Sequence, residues 1–167
     1  MLIFKLALVL SCPEGGDDLV GVVGVGYVGL VTSTCFADLG NNVIALDINS
    51  ERIENLKQGL LPIYEPGLDQ LVQKNLHAGR LRFTTDVATA SGQALVIFLA
   101  VGTPPAADGS ADLTYVENAA RTIAQHMDSY KVVATKSTVP VGTGKRLATL
   151  IRFGPLPVAL VEVTPGL

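Results

Sequence analysis

An apolar run that leads without a gap into Gly24-Val25-Gly26-Tyr27-Val28-Gly29 constrains this chain more than any other feature. Leu19 to Val23 carries no polar alternation, as befits a strand buried on both faces. Gly-x-Gly-x-x-Gly placed there has a physical reading. Gly24 permits a tight turn, Gly26 lets a pyrophosphate approach the backbone, and Gly29 lets the following helix lie close to the strand. The helix N-terminus adds unpaired N–H groups and a partial positive charge for phosphates. A glycine triplet alone says little in a chain with 17 glycines. Asp47 adds context: it ends the next apolar run, Val43 to Leu46, and stands 18 residues past Gly29. Dinucleotide folds place a ribose-binding acid at about that distance, roughly 20 residues. Its carboxylate suits both hydroxyls of an adenosine ribose and repels an added 2′-phosphate, which favours NAD over NADP. The competing reading is a glycine turn with an incidental aspartate.

Beyond the glycines, short apolar runs alternate with helical periodicity. Val28, Val31, Thr32, Cys35, Phe36 and Leu39 fall on one helical stripe ending at Gly40, predicted to face inward, with Cys35 as a packing residue. Asn49 is placed to cap a helix bearing Ile53 and Leu56 and stopping at Gly59. Leu68, Leu71, Val72 and Leu76 mark a further helix ending at Gly79, and Arg82 to Thr84 reads as a short strand. Leu95 to Ala100, apolar throughout, is expected to be central. Thr114 and Glu117 have capping-box spacing ahead of Val116, Ala120, Ile123 and Met127. Lys131 to Thr135 is the next strand, Leu147, Leu150 and Ile151 mark the last helix, and Val158 to Val163 is a candidate sixth strand. Connections too long for hairpins imply right-handed crossovers. The predicted class is α/β: a doubly wound, mostly parallel, Rossmann-like sheet. Residues 1–18 form an N-terminal extension, 19–152 the dinucleotide-binding domain and 153–167 a divergent tail.

Charge and composition exclude other classes. Lys plus Arg number 12 against 15 Asp plus Glu, a net charge of -3, so no basic footprint suits a nucleic-acid backbone. Met1 to Cys12 is apolar with one lysine, loosely like a lipoprotein signal, yet it falls short of the ~20 residues that span a bilayer. Its charge sits inside the apolar run, and the segment enters the glycine core directly, so an extra N-terminal segment is the alternative. Cys12 and Cys35 make neither a disulfide framework nor a metal-ligand pair, consistent with a reducing, cytoplasmic setting and no membrane partner. His77 and His126 lack a cysteine or aspartate partner nearby and read as surface helix residues.

Two more strand ends are polar in a related way. Val101-Gly102-Thr103-Pro104-Pro105 and Lys136-Ser137-Thr138-Val139-Pro140 each follow an apolar strand, at the edge where open parallel sheets bind ligands. Their prolines stiffen the loops, and the hydroxyls suit ribose, phosphate or an amide. Ordinary turn chemistry accounts for either loop alone.

The residues also carry a resemblance. Gly24 to Val31, Pro62-Ile-Tyr-Glu-Pro-Gly-Leu68, Gly79-Arg-Leu-Arg-Phe-Thr-Thr-Asp86, Val101 to Pro105, Asp108-Gly-Ser-Ala-Asp-Leu113 and Thr135 to Gly144 together resemble the NAD-binding domain of the UDP-glucose 6-dehydrogenase family, within the UDP-glucose/GDP-mannose dehydrogenases. The resemblance runs from about Val20 to Arg152. It implies NAD contacts at Gly24, Val25, Gly26, Tyr27, Val28, Gly29, Asp47, Arg52, Val101, Gly102, Thr103, Pro104, Ser137 and Thr138. Arg52 alternatively reads as a solvated helix charge. Enzymes of this family oxidise a sugar C6 alcohol twice with two NAD and a cysteine nucleophile, which lies well beyond their first domain. The resemblance therefore implies a truncated dehydrogenase, inactive alone, that would engage a nucleotide sugar only when completed by a second domain and would tend to self-associate. A fragment of a GDP-mannose or UDP-N-acetyl-sugar dehydrogenase, or a non-catalytic dinucleotide-binding module, stays open.

Overall fold

The computed structural model describes residues 19–152 and 158–162. The extension (residues 1–18, including Cys12) and tail residues 153–157 and 163–167 lie outside the described residues. Within them, β1 (Leu19–Val23), β2 (Asn42–Leu46), β3 (Leu81–Thr84), β4 (Ala94–Leu99), β5 (Lys131–Thr135) and β6 (Val158–Glu162) form one sheet. The helices between them are α1 (Tyr27–Asp38), α2 (Ser50–Lys57), α3 (Leu68–His77), α4 (Val87–Gln93), α5 (Thr114–His126) and α6 (Thr143–Arg152). Strand order is β3-β2-β1-β4-β5-β6, and every neighbouring pair is parallel. The chain thus winds from β1 to one edge, returns to the centre at β4 and winds to the other edge. The gap between the carboxyl ends of β1 and β4 is the topological switch point, where sheets of this kind bind ligands.

Strand side chains alternate between two covered faces, which is why the strands read as unbroken apolar runs. Val20, Val22, Val43, Ala45, Val96 and Phe98 pack beneath α1, α2 and α3 through Leu30, Ile53, Leu56, Leu68 and Val72. Ile44, Leu46, Ile97, Leu99 and Val133 face α4, α5 and α6 through Ala90, Val116, Ala120, Ile123, Leu147 and Ile151. Each fully buried leucine or isoleucine contributes about 1.5–3 kcal/mol. Phe36 of α1 meets Phe98 of β4 with ring centroids 4.9 Å apart, fixing the helix on the sheet.

The rotation of α1 differs from the sequence expectation. Gly29, Leu30, Ser33, Thr34 and Ala37 are buried, whereas Cys35 is exposed and Val28 and Leu39 are 44% and 71% exposed. Val31 and Phe36 only flank the core. Backbone approach, not hydrophobicity, sets this rotation. A Cβ on Gly29 would collide with the Gly24 carbonyl oxygen, so that face must turn inward. The next inward residues are small, and their hydroxyls are satisfied locally: Ser33 Oγ and Thr34 Oγ1 donate to the Leu30 carbonyl at 3.0 and 2.8 Å. Cys35 is therefore no core residue.

Smaller differences have equally local causes. The Thr114–Glu117 capping box does not form, because Asp112 accepts the Thr114 N–H at 2.9 Å and Leu113 is the cap residue. Glu117 instead pairs with Arg121 and with Arg146 of α6. Helix α4 was not expected. Its seven residues carry alanine, serine and glycine rather than an apolar stripe, and its one signal is Asp86, which accepts from the Ala88 and Thr89 N–H groups at 3.0 and 3.4 Å. Strand β4 starts and ends one residue earlier than expected, at Ala94 and Leu99.

Candidate functional site

Strand register brings the candidate residues to one edge. Val23 is level with both Leu46 and Leu99, and Leu99 with Thr135. The residues that follow each strand, Gly24, Asp47, Ala100 with Val101, and Lys136 with Ser137, therefore emerge side by side at the switch point.

The glycine turn is built by close backbone approach. Gly24 has φ +96°, its N–H donates to the Leu46 carbonyl at 2.8 Å, and a Cβ there would stand 2.8 Å from the Ala100 carbonyl oxygen. No residue with a side chain fits. Gly26 is different. It is the N-cap of α1 in extended conformation (φ -71°, ψ -166°), with no side-chain cap bond, no acid in the first turn and nothing within 4 Å of where a Cβ would be. An uncapped helix end facing open space is what a pyrophosphate requires. Tyr27 and Val28 flank it, both exposed. Tyr27 Oη donates to Glu65 Oε2 at 3.0 Å, and this hydrogen bond to a carboxylate raises the Tyr27 pKa above its ordinary value.

Asp47 is 8% exposed and held from three directions. Its Oδ2 accepts the Val25 N–H at 2.8 Å and Arg52 Nη1 at 3.0 Å, while Oδ1 accepts the Asn49 N–H at 3.0 Å. Asn49 caps α2 by accepting the Arg52 N–H at 2.9 Å. The acid is thereby locked to the glycine turn on one side and to α2 on the other. Arg52 is ion-paired, not merely solvated.

The two polar loops join each other. Thr103 Oγ1 donates to the Thr138 carbonyl at 2.9 Å, and Ser137 Oγ to the Val101 carbonyl at 2.7 Å. Pro104 accepts the Asp112 N–H at 2.8 Å, closing the loop that carries Gly102, Thr103 and Pro104. Beside Arg52 lies a cavity of about 260 Å³ lined by Asn49, Glu51, Arg52, Asn55, Leu60, Leu61 and Pro62. The glycine turn, Asp47 with Arg52, and the two polar loops thus gather at one edge of the sheet. Sequence reasoning missed Glu65, which the hydrogen bond to Tyr27 brings to the glycine turn from a loop without periodicity. His77 and His126 are exposed, each with Nδ1 on the carbonyl four residues back. Among the described residues no group of three His, Cys, Asp or Glu could hold a metal ion, and no helix is long and apolar enough to cross a membrane.

A glycine turn at the switch point of a doubly wound sheet, an open helix end and an acid closing β2 define a dinucleotide-binding domain. Residues 18–155 match the family model described as UDP-glucose/GDP-mannose dehydrogenase family, NAD binding domain. The chain belongs to that family, as its NAD-binding domain. It is 52% identical over 133 residues to a UDP-glucose 6-dehydrogenase of Bacillus subtilis, which covers 80% of this chain and 29% of that protein. Among solved structures, a UDP-glucose dehydrogenase from the archaeon Pyrobaculum islandicum superposes with TM-score 0.85 at 38% identity, covering 92% of this chain and 37% of that one. A GDP-mannose dehydrogenase from Pseudomonas aeruginosa gives TM-score 0.80 at 33% identity, with 88% and 36% covered. The chain thus spans about 30% of the length of the curated relatives it matches.

Proposed function

We propose that this domain binds NAD across the carboxyl ends of β1, β2, β4 and β5, and that it is the cofactor-binding part of an enzyme oxidising UDP-glucose at C6. The observation that carries the reading is the uncapped α1 N-terminus at Gly26, open to solvent and directly beside Asp47. In this assignment the N–H groups of Tyr27, Val28 and Gly29 receive the pyrophosphate, and Gly24 and Gly29 keep the turn close enough to the sheet. Asp47 accepts from the adenosine ribose, with Val25 and Asn49 holding its carboxylate in place and Arg52 beside it. Val101, Gly102, Thr103 and Pro104 wall the nicotinamide end, braced by Ser137 and Thr138. Bound NAD would supply the hydride acceptor. The sugar site and the nucleophilic thiol are assigned to residues beyond those matched here; Cys35 stands eight residues along α1 from Tyr27, about 12 Å from the helix end assigned to the cofactor, and is given no part in the reaction. Residues 19–152 are the folding unit in this reading, the cytoplasm its compartment, and self-association its expected state.

The test is calorimetric titration of the 167-residue chain with NAD, followed by UDP-glucose in the presence of NAD. Saturable NAD binding with no growth of NADH absorbance supports the assignment. Steady turnover would show that the nucleophile has been misplaced.

A further inference from the structure

The occupancy of Asp47 carries a consequence for cofactor choice. An ionised carboxylate offers about four acceptor positions, and three are engaged here by Val25 N–H, Asn49 N–H and Arg52 Nη1. A ribose presenting both hydroxyls needs two. The two backbone donors are fixed, one by the glycine turn and the other by the α2 cap. Arg52 is the partner that can leave: its side chain is 37% exposed and its grip on Asp47 is a single 3.0 Å contact. Its backbone stays put, because Asn49 Oδ1 holds the Arg52 N–H at 2.9 Å.

Resting on the NAD reading above, we infer that Arg52 swings off Asp47 when the ribose binds and sets how strongly the site prefers NAD over NADP. The freed guanidinium remains one turn into α2, beside the ribose 2′ position. There it meets an added phosphate with a planar fork of donors suited to phosphate oxygens. Two acids oppose it, Asp47 itself and Glu51, which lines the same cavity. Lys57, further along α2, is engaged with Glu54. One cation against two carboxylates leaves NAD preferred, by less than Asp47 alone would impose. Removing the cation restores the full repulsion.

The experiment is calorimetry on wild type, Arg52→Gln and Arg52→Lys with two ligand pairs: NAD with NADP, and ADP with 2′,5′-ADP. The shorter pair isolates the adenosine end. Arg52→Gln keeps the backbone cap bond, so the fold is expected to hold, and circular dichroism checks it. The NADP-to-NAD Kd ratio is expected to rise about tenfold in Arg52→Gln, a change that shrinks in high salt because it is electrostatic. Arg52→Lys, which retains the charge but not the fork, falls between. A purely structural role would weaken both members of each pair alike. A ratio that stays constant or falls in Arg52→Gln, while wild type binds NAD, overturns this inference alone. Failure of wild type to bind NAD or ADP overturns it together with the cofactor reading.

Discussion

Replacing Gly26 with serine should separate stability from binding. Gly26 is an N-cap with ordinary extended angles, and a Cβ there meets nothing within 4 Å. A serine hydroxyl can accept from the helix N–H groups, which gains a few tenths of a kcal/mol over glycine at a cap. Melting should therefore stay within about 2 °C of wild type or rise. Binding should collapse, because the serine occupies the space and the N–H groups assigned to the pyrophosphate. Two charge-assisted hydrogen bonds at about 1.5–3 kcal/mol each put the loss at roughly 3 kcal/mol or more, over a hundredfold in Kd. Gly29→Ala is the opposite case. Alanine gains about 1 kcal/mol of helix propensity, but its Cβ would overlap the Gly24 carbonyl oxygen, and backbone on both sides has nowhere to go. A clash of about 3 kcal/mol outweighs the gain, leaving a net loss of about 2 kcal/mol and a melting drop of about 4–8 °C. Differential scanning fluorimetry and calorimetry read the two quantities on the same samples. A Gly26→Ser chain that binds NAD as tightly as wild type would refute the assignment of the helix end to phosphate, and one that melts as early as Gly29→Ala would refute the open space at Gly26.

Asp47→Asn keeps size but removes charge, so NAD should weaken by about 1–3 kcal/mol and relative NADP affinity should rise, both read by calorimetry. Asn49→Ala should cost about 1 kcal/mol by removing the α2 cap, read as a lower denaturant midpoint. Asp86 has its pKa lowered, chiefly by the Thr89 hydroxyl and then by the Thr89 and Ala88 N–H groups. A depressed carboxylate stabilises the fold above its unfolded value and loses that contribution as pH falls through the folded value. Asp86→Asn should therefore flatten the acid limb of the stability curve, with little further difference from wild type at the lowest pH. Light scattering should show self-association, since β6 ends the sheet with no described strand on its outer side; a sharply monodisperse monomer would count against it.

Much of this was legible because a few positions permit only one geometry. Distance from Gly29 and the end of an apolar run single out Asp47, and it stands directly after β2, bonded to the Val25 N–H. Asn49, Ile53, Leu56 and Gly59 delimited α2 because cap, stripe and stop agree in that short segment. Helix α1 is only partly legible, because its apolar stripe lies to one side of the buried face: Val31 and Phe36 reach the core, while Val28, Cys35 and Leu39 do not. Hydrophobicity marks Val28, Cys35 and Leu39, while the buried face is dictated by where Gly29 must touch the turn. Close packing of backbone leaves only small residues as its trace, and Ser33 and Thr34 look polar until their hydroxyls are seen to bond Leu30. The Asp47–Arg52 pair and the Tyr27–Glu65 hydrogen bond depend on side-chain placement that spacing does not encode.

The central claim, that the switch-point edge is an NAD site, is tested most directly by titrating the intact chain with NAD and with NADP while following its melting temperature. A ligand that binds only the native state raises stability by RT ln(1 + [L]/Kd), about 2.7 kcal/mol at a hundred times Kd. The account predicts a saturable rise with NAD that is larger than the rise with NADP at equal concentration. No shift with NAD up to millimolar concentration, or equal shifts with the two dinucleotides, would contradict it.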